Sequence, residues 1–188
     1  MHNDPDISLV RRFKEGDQGA FNQIVRRYQE RLYYLALRMV GNHDDALDLS
    51  QDAFVKAYEG LEKFHEDSSL YTWLYRIVVN LSINHQRKRK VIRFISFEDV
   101  RALLASTKDS PDEIVNRNEL SEAVDEAIES LPARQKAVFV LRYYQGLSHQ
   151  EISEILGRSV GAVKANYFHA VRKLRKALSR FVEIEEAE

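Results

Sequence analysis

Residues 148–164 read SHQEISEILGRSVGAVK, and this stretch decides the fold of the second half of the chain. Ser148 and Glu151 have the spacing of a capping box, in which each side chain accepts from the backbone N–H of the other residue. The pattern predicts a helix that begins after Ser148 and ends at Gly157, and Ser159 can cap a new helix two residues later. Two helices joined by so short a turn predict a helix-turn-helix.

The second of these helices has one apolar face and one polar, cationic face. Val163, Tyr167, Val171 and Leu174 recur at helical spacing and are expected to be buried. The opposite face suits a DNA major groove, because its small residues allow close approach and Asn166 can pair bidentately with adenine. The candidate DNA contacts here are Arg158, Ser159, Ala162, Lys164, Ala165, Asn166, His169, Arg172 and Lys173. A plain helical hairpin with a solvated basic face is the alternative.

Four helices are predicted upstream of residue 93. The clearest carries Ile24, Tyr28 and Leu32 on one apolar face. Gly41 is expected to end that helix, and Asn42 is a suitable N-cap for the next one.

The whole pattern predicts an all-α protein of two small helical bundles, because no stretch shows the strict alternation of an exposed strand. The first bundle is assigned to residues 1–93. Apolar periodicity lapses over residues 94–111, which are predicted to be a flexible linker with a short helix at 99–105. The second bundle, with the helix-turn-helix, is assigned to 112–182, and 183–188 form an acidic tail.

Composition excludes several classes of site and of protein. The 188 residues include no cysteine, so thiolate metal sites, iron–sulfur clusters and cysteine nucleophiles are excluded. No apolar run approaches the roughly 18 residues of a membrane span, and the first residues do not resemble a signal peptide. We therefore expect a cytoplasmic protein that does not insert into a membrane.

The net charge of −1 conceals two basic segments. Residues 86–93 carry a charge of +5 with no acid, and residues 142–180 carry +6. Phosphate binding requires such local positive charge whatever the average over the chain.

The first basic segment follows a group of aromatic residues, Phe64, Tyr71, Trp73 and Tyr75. Aromatic rings beside a cationic track suit single-stranded DNA, because bases stack on the rings while the charges follow the backbone. Trp73 lies on the predicted buried face of its helix, so it is expected in the core. Tyr71, Arg76 and Asn80 are therefore the better contact candidates.

Four stretches of the chain, in order and in spacing, resemble the extracytoplasmic-function class of bacterial RNA polymerase sigma factors. They are GDQGAF at 16–21, DALDLSQDAF at 45–54, YTWLYRIVVN at 71–80, and the segment from Glu151-Ile152 through GAVK at 161–164. The resemblance covers nearly the whole chain apart from its first residues, the linker and the acidic tail.

The resemblance implies a transcription initiation factor, not an enzyme, that uses no cofactor and no metal. Its first domain would bind the clamp of the largest polymerase subunit and open the −10 element of promoter DNA. Its second domain would contact the polymerase flap and read the −35 element. An anti-sigma factor, often membrane-anchored in this family, would hold the protein inactive.

The resemblance also assigns roles to residues of the first bundle. Polymerase contacts are expected at Asp45, Asp48, Leu49, Gln51, Asp52 and Phe54. Contacts to the −10 element are expected at Phe64, Ser69, Tyr71, Arg76, Asn80, Arg87 and Lys88. The chain departs from the family at Asn166, where many members carry arginine, so the sequence of the −35 element cannot be carried over.

Two alternatives remain open at the level of sequence. A conventional helix-turn-helix regulator would explain residues 148–176 but gives no task to the predicted helix with the acidic residues at 44–52 or to the basic run at 87–93. A metal enzyme is suggested by Asp44, Asp48 and Asp52 on one helix face and by Glu62 and His65. Bundle metal centres need two Glu-x-x-His motifs and further carboxylates, and the rest of that pattern is absent.

Overall fold

The computed structural model describes residues 5–100, 117–179 and 181, and the regular structure in these residues is entirely helical. The first unit contains α1 (Pro5–Lys14), α2 (Gln18–Val40), α3 (His43–Leu61) and α4 (Leu70–Val100). The second unit contains α5 (Arg117–Ser130), α6 (Ala133–Tyr143), α7 (His149–Leu156) and α8 (Val160–Ala177). The predicted all-α class is confirmed.

The junction between α2 and α3 forms as the sequence predicts. Gly41 adopts the left-handed conformation with φ of 81° and so ends α2. The side chain of Asn42 accepts a hydrogen bond from the backbone N–H of Asp45 at 2.8 Å, which caps α3.

The core of the first unit forms around α2. Ile24, Leu32 and Leu35 of this helix are fully buried and share one apolar cluster with Leu74 and Val78 of α4. Each such side chain contributes about 1.5–3 kcal/mol through burial. The packed helices hold Arg89 of α4 within 3.2 Å of Asp45 at the acidic start of α3.

The two units pack against each other. Tyr75 and Val79 of α4 belong to the same apolar cluster as Val138, Ile152 and Ile155 of the second unit. Helix α4 contacts both α6 and α7, and α2 contacts α6. The apolar core is therefore continuous from one unit to the other.

Helix α4 extends beyond its predicted end. The linker was expected from residue 94, but α4 continues to Val100. Residues 94–100 contain neither glycine nor proline, so the sequence carries no signal that ends a helix there. The linker start was therefore wrong. The rest of the linker, most of the short helix predicted at 99–105 and the acidic tail lie outside the described residues.

Candidate DNA and polymerase interfaces

The helix-turn-helix forms with the predicted caps. Ser148 Oγ accepts from the backbone N–H of Glu151 at 3.2 Å, and Glu151 Oε2 accepts from the backbone N–H of Ser148 at 2.7 Å. Hydrogen bonds from the side chain and the backbone N–H of Ser148 to the Glu151 carboxylate hold the pKa of Glu151 below its ordinary value. Gly157 turns the chain with φ of 60°, and Ser159 Oγ then accepts from Ala162 N–H at 3.2 Å to start α8.

Most candidate DNA contacts of the second unit are exposed. The exposed ones are Arg158, Ser159, Lys164, Ala165, His169, Arg172 and Lys173. Ala162 and Asn166, by contrast, are half-buried. Asn166 Nδ2 donates to the carbonyl of Ala162 at 2.8 Å. Asn166 also lines the cleft between the two units. The expectation that Asn166 stands open on the far face of α8 is therefore wrong for this arrangement, because α8 turns that edge toward the first unit.

Phe168 is an exposed aromatic residue of α8 that the sequence prediction missed. Its side chain is 62% exposed, and the guanidinium carbon of Arg172 lies 6.0 Å from the ring centroid. Lys164 and Arg175 line the same surface groove. An apolar ring can contact a thymine methyl group when its helix lies in a major groove. The available signal was an aromatic residue outside the buried face.

The cleft between the units, hereafter the arginine cleft, is a cavity of about 320 Å³. Its lining includes the guanidinium side chains of Arg87, Arg134 and Arg158, together with Asn80, Asn84 and Asn166, and it includes no acidic residue. Arg134 was not predicted. The arginine cleft therefore joins candidate contacts for two different DNA elements and has a positive potential.

The N-terminal part of α4 carries the other candidate −10 residues. The rings of Tyr71 and Tyr75 lie 4.1 Å apart between their centroids. Burial, with a smaller contribution from Tyr75, raises the pKa of Tyr71. Arg76 Nη2 donates to the carbonyl of Glu154 on α7 at 2.7 Å. Ser69 Oγ accepts from Thr72 N–H at 3.1 Å and so caps α4, whereas Asn80, Arg87 and Lys88 are exposed.

Phe64 is buried and therefore cannot make the direct base contact that was expected of it. Its ring is 4% exposed and packs 5.3 Å from the ring of Trp73. Lys14 Nζ donates to the Phe64 carbonyl at 2.6 Å and fixes the loop. The predicted contact role of Phe64 is therefore corrected to support of the loop, because a ring in the core cannot stack on a base.

The candidate polymerase residues on α3 other than Asp45 divide into two groups. Asp48, Gln51 and Asp52 are exposed. Leu49 is 6% exposed and belongs to the core, and Phe54 packs against it. The expectation of direct contact by Leu49 is therefore wrong, because Leu49 lies on the face of α3 that packs into the core.

Asp45 is occupied within the first unit. It accepts from Asn42, and Arg89 Nη1 and His85 Nε2 of α4 lie 3.2 and 3.0 Å from its Oδ2. The hydrogen bond from Asn42, followed by His85 and Arg89, lowers the pKa of Asp45. Asp45 therefore ties the start of α3 to α4. A polymerase contact at Asp45 would have to share its carboxylate with Asn42, His85 and Arg89.

Three apolar side chains on the outer surface of α3 were not predicted. Leu47, Val55 and Tyr58 are 41%, 57% and 45% exposed. Apolar residues grouped with carboxylates on a helix surface are typical of a protein–protein interface. The sequence did carry a signal for these residues, because each is an apolar residue at a helix position outside the buried face.

Two features of the described residues bear on other classes of protein. In residues 5–100, 117–179 and 181, no group of three or more histidine, aspartate or glutamate side chains is arranged to hold a metal ion. None of the helices in those ranges is long and apolar enough to cross a membrane.

Comparisons with known proteins match both units. The model of Sigma-70 region 2 matches residues 24–91, and that of Sigma-70, region 4 matches residues 121–174. The ECF RNA polymerase sigma factor SigW of Bacillus subtilis is 36% identical over 176 residues, which cover 90% of this chain and 94% of that protein.

Two solved structures have similar folds over both units. The structure of CnrH in complex with the cytosolic domain of CnrY matches with a TM-score of 0.68 and 29% identity, covering 94% of this chain and 99% of that one. The sigma factor RpoE of Bartonella quintana, solved with the anti-sigma factor NepR, matches with a TM-score of 0.62 and 24% identity, covering 85% and 96%. The latter similarity concerns the fold alone. The chain thus belongs to the extracytoplasmic-function sigma factors, the initiation factors that direct bacterial RNA polymerase to promoters.

Proposed function

We propose that the outer surface of α3 binds the clamp of core RNA polymerase, that α4 holds the opened −10 element, and that α8 reads the −35 element. The observation that carries this proposal is the separation of surfaces by chemistry. Helix α3 exposes carboxylates beside Leu47 and Val55, whereas α4 and α8 expose the cations. Protein contact and DNA contact are thereby assigned to different helices.

Exposed and half-buried side chains of α4 both supply contacts. The exposed ones are Asn80, Arg87 and Lys88, with Ser69 at the cap of the helix, and the half-buried ones are Tyr71 and Arg76. Tyr71 offers a ring for an extruded base, and the cations follow the phosphates. Stacking of the extruded base on this ring offsets the few kcal/mol that unstacking the base from the duplex costs.

On the second unit, base contacts come from one face of α8 and phosphate contacts from its borders. Asn166, His169 and Phe168 offer amide, imidazole and apolar groups to base edges. Arg158, Ser159, Lys164, Arg172 and Lys173 supply phosphate contacts, while Ala162 and Ala165 allow the helix to enter the groove. This unit also contacts the polymerase flap.

The protein acts without catalytic chemistry of its own and works in the cytoplasm with the polymerase. Its regulator is an anti-sigma factor that covers the polymerase and DNA surfaces. Support for this partner is the 29% identity to CnrH, which was solved in complex with the cytosolic domain of CnrY. A membrane-anchored regulator would place its cytosolic part on this chain.

Run-off transcription tests the proposed function directly. Purified chain is added to core polymerase with a library of promoter sequences, and transcripts are sequenced. We expect defined start sites that share two upstream elements, and we expect Arg87→Ala and Arg172→Ala to reduce the yield. Failure of core polymerase to retain the chain, with or without DNA, would refute the proposal.

A further inference from the structure

We propose that the arginine cleft binds a small oligophosphate anion, carried by a nucleotide or supplied as free inorganic polyphosphate. The ligand occupies the arrangement in which the two units pack against each other, hereafter the docked form. Its binding does not depend on the DNA and polymerase contacts proposed above, because it requires only the cavity and the groups that line it.

Three guanidinium groups meet at this cleft without a counter-ion from the chain. Arg87 extends from α4, Arg134 from α6 and Arg158 from the turn before α8, and the lining contains no acidic residue. Within residues 5–100, 117–179 and 181, none of the three forms an ion pair. Like charges that share a cavity repel each other, and a bound polyanion removes this repulsion.

The donors in the cleft suit phosphate groups. Each guanidinium carries five N–H donors in a planar fork that can bind two oxygens of one phosphate. Asn80 and Asn84 of α4 add side-chain amide donors to the same lining. Three forks and two amides match the several charges and many oxygens of a di- or triphosphate better than those of a halide ion.

The start of α6 adds a second source of positive potential. An adjoining cavity of about 360 Å³ shares Arg87, Arg134 and Asn166 with the arginine cleft, and its lining also contains no acid. Pro132 and Ala133 line this cavity, and Pro132, as the N-cap residue, gives α6 no side-chain cap. The first N–H groups of α6 can therefore donate to an anion at the positive end of the helix.

The size and walls of the cleft fit a small organic phosphate. Its volume of about 320 Å³ lies at the lower end of the range for small-molecule sites, which is about 300–1,000 Å³. Ile83, Val138 and Val163 contribute apolar surface to the lining. A base or a ribose can contact this surface while the phosphates bind the guanidinium groups.

The ligand also links the two units. Arg87 belongs to the first unit, whereas Arg134 and Arg158 belong to the second. A ligand that needs groups from both units binds the docked form and stabilises it in proportion to the logarithm of ligand concentration above the Kd. The melting temperature of the chain should therefore rise with ligand concentration.

Isothermal titration calorimetry on the full chain tests this site. The probes are sodium triphosphate and ATP, without magnesium, at about 0.15 M salt so that exposed charges are screened. The test variant is Arg134→Gln, because Arg134 is an exposed residue of the cleft with no assigned role in binding DNA or polymerase. Arg175→Gln removes the same charge from a separate groove of α8 and is the control. Circular dichroism checks that both variants are folded.

We expect the wild-type chain to bind one oligophosphate, Arg134→Gln to bind it about tenfold more weakly, and Arg175→Gln to bind it as the wild type does. The ligand should also raise the melting temperature of Arg134→Gln less than that of the wild type. Equal weakening in both variants would indicate general charge attraction and would overturn the site. Titration without a one-to-one end point for either probe would overturn it as well.

Comparison of the two probes identifies the source of the phosphate. Binding of ATP at least as tight as that of triphosphate identifies a nucleotide ligand, whereas tighter binding of triphosphate identifies the free anion. In the ¹⁵N-labelled chain, the Nε–H signals of Arg87, Arg134 and Arg158 should shift together on binding. Shifts confined to Arg172 and Arg175 would place the anion on α8 and overturn the inference. These measurements contain neither polymerase nor DNA, so their failure leaves the proposed function untouched.

Discussion

Asn166 shows how much the surroundings of one residue control its use. Its carboxamide donates to the carbonyl of Ala162 and borders the arginine cleft, yet the same group can accept from and donate to adenine once the units separate. A residue at such a position contributes specificity, whereas neighbouring cations contribute affinity for any sequence.

Asn166→Ala is expected to relax base preference at one position of the −35 element and to cost about 1–3 kcal/mol on the preferred sequence. Lys164→Ala should weaken binding to all sequences alike, because it removes a phosphate contact. Polymerase holoenzyme binding to a library of −35 sequences measures both effects. An equal loss at every base for both variants would contradict these roles.

Asp45→Asn is expected to destabilise the protein at neutral pH by about 1 kcal/mol, because Arg89 and His85 lose a charged partner at the start of α3. The folded pKa of Asp45 is depressed, so its stabilisation is present above its ordinary pKa of 3.8 and is lost as pH falls through the folded pKa. Urea unfolding should therefore show a difference from wild type at pH 7 that shrinks below about pH 4. Asp44→Asn, at an exposed neighbouring position, is the control, and an equal effect there would exclude the role of the partners.

At the scale of elements, the residues that cap and end the helices were predictable from the sequence. The helix face on which a given side chain lies was less predictable. The capping box at Ser148 and the left-handed Gly41 and Gly157 depend on local bonding, which sequence spacing specifies. The inward position of Leu49 depends on which neighbours cover α3, and sequence spacing alone does not contain that information. The extension of α4 was missed because the loss of apolar periodicity in the sequence was interpreted as the end of a helix.

Ser148→Ala is expected to lower the free energy of unfolding by about 1 kcal/mol, since α7 loses the acceptor for the N–H of Glu151. Helix α7 has only eight residues, so its start matters more than in a long helix. Urea unfolding measures the change. Ser121→Ala, at an exposed position within α5, should be nearly neutral, and a similar loss in both variants would argue against the cap.

Asp52→Lys is expected to weaken binding to core polymerase by about tenfold, because a hot-spot residue is worth more than 1 kcal/mol. Glu59→Lys makes the same charge change at another exposed position of α3 and serves as the control. Titration of labelled chain with core polymerase gives both affinities. Equal weakening would show a general charge effect instead of a local contact.

At the scale of the whole molecule, the sequence predicted two cationic units but not their contact. Each bundle follows from its own periodicity, whereas the pairing of Tyr75 with Gln145 joins residues 70 positions apart. No local pattern specifies such a pair. For this reason the sequence predicted Tyr71 and Arg76 to be exposed DNA contacts, although both side chains are half-buried.

Arg134→Glu is expected to stabilise the docked form, because it places an acid in the lining that Arg87 and Arg158 share. An exposed ion pair contributes up to about 1 kcal/mol, which corresponds to a rise in melting temperature of about 2–4 °C for a chain of this size. Calorimetry compares it with Arg175→Glu, which lies in a different groove of α8. A lower melting temperature for Arg134→Glu alone would contradict repulsion in the cleft.

The shared interface around Tyr75 makes the two halves of the molecule thermodynamically linked. If one closed contact covers both recognition faces, the free energy of breaking that contact is required only once, whichever of the two promoter elements binds first. Linkage then requires reciprocity: occupancy of either face raises the affinity of the other by the same factor. A promoter with both elements would be favoured over one with a single element by more than the sum of the separate binding energies.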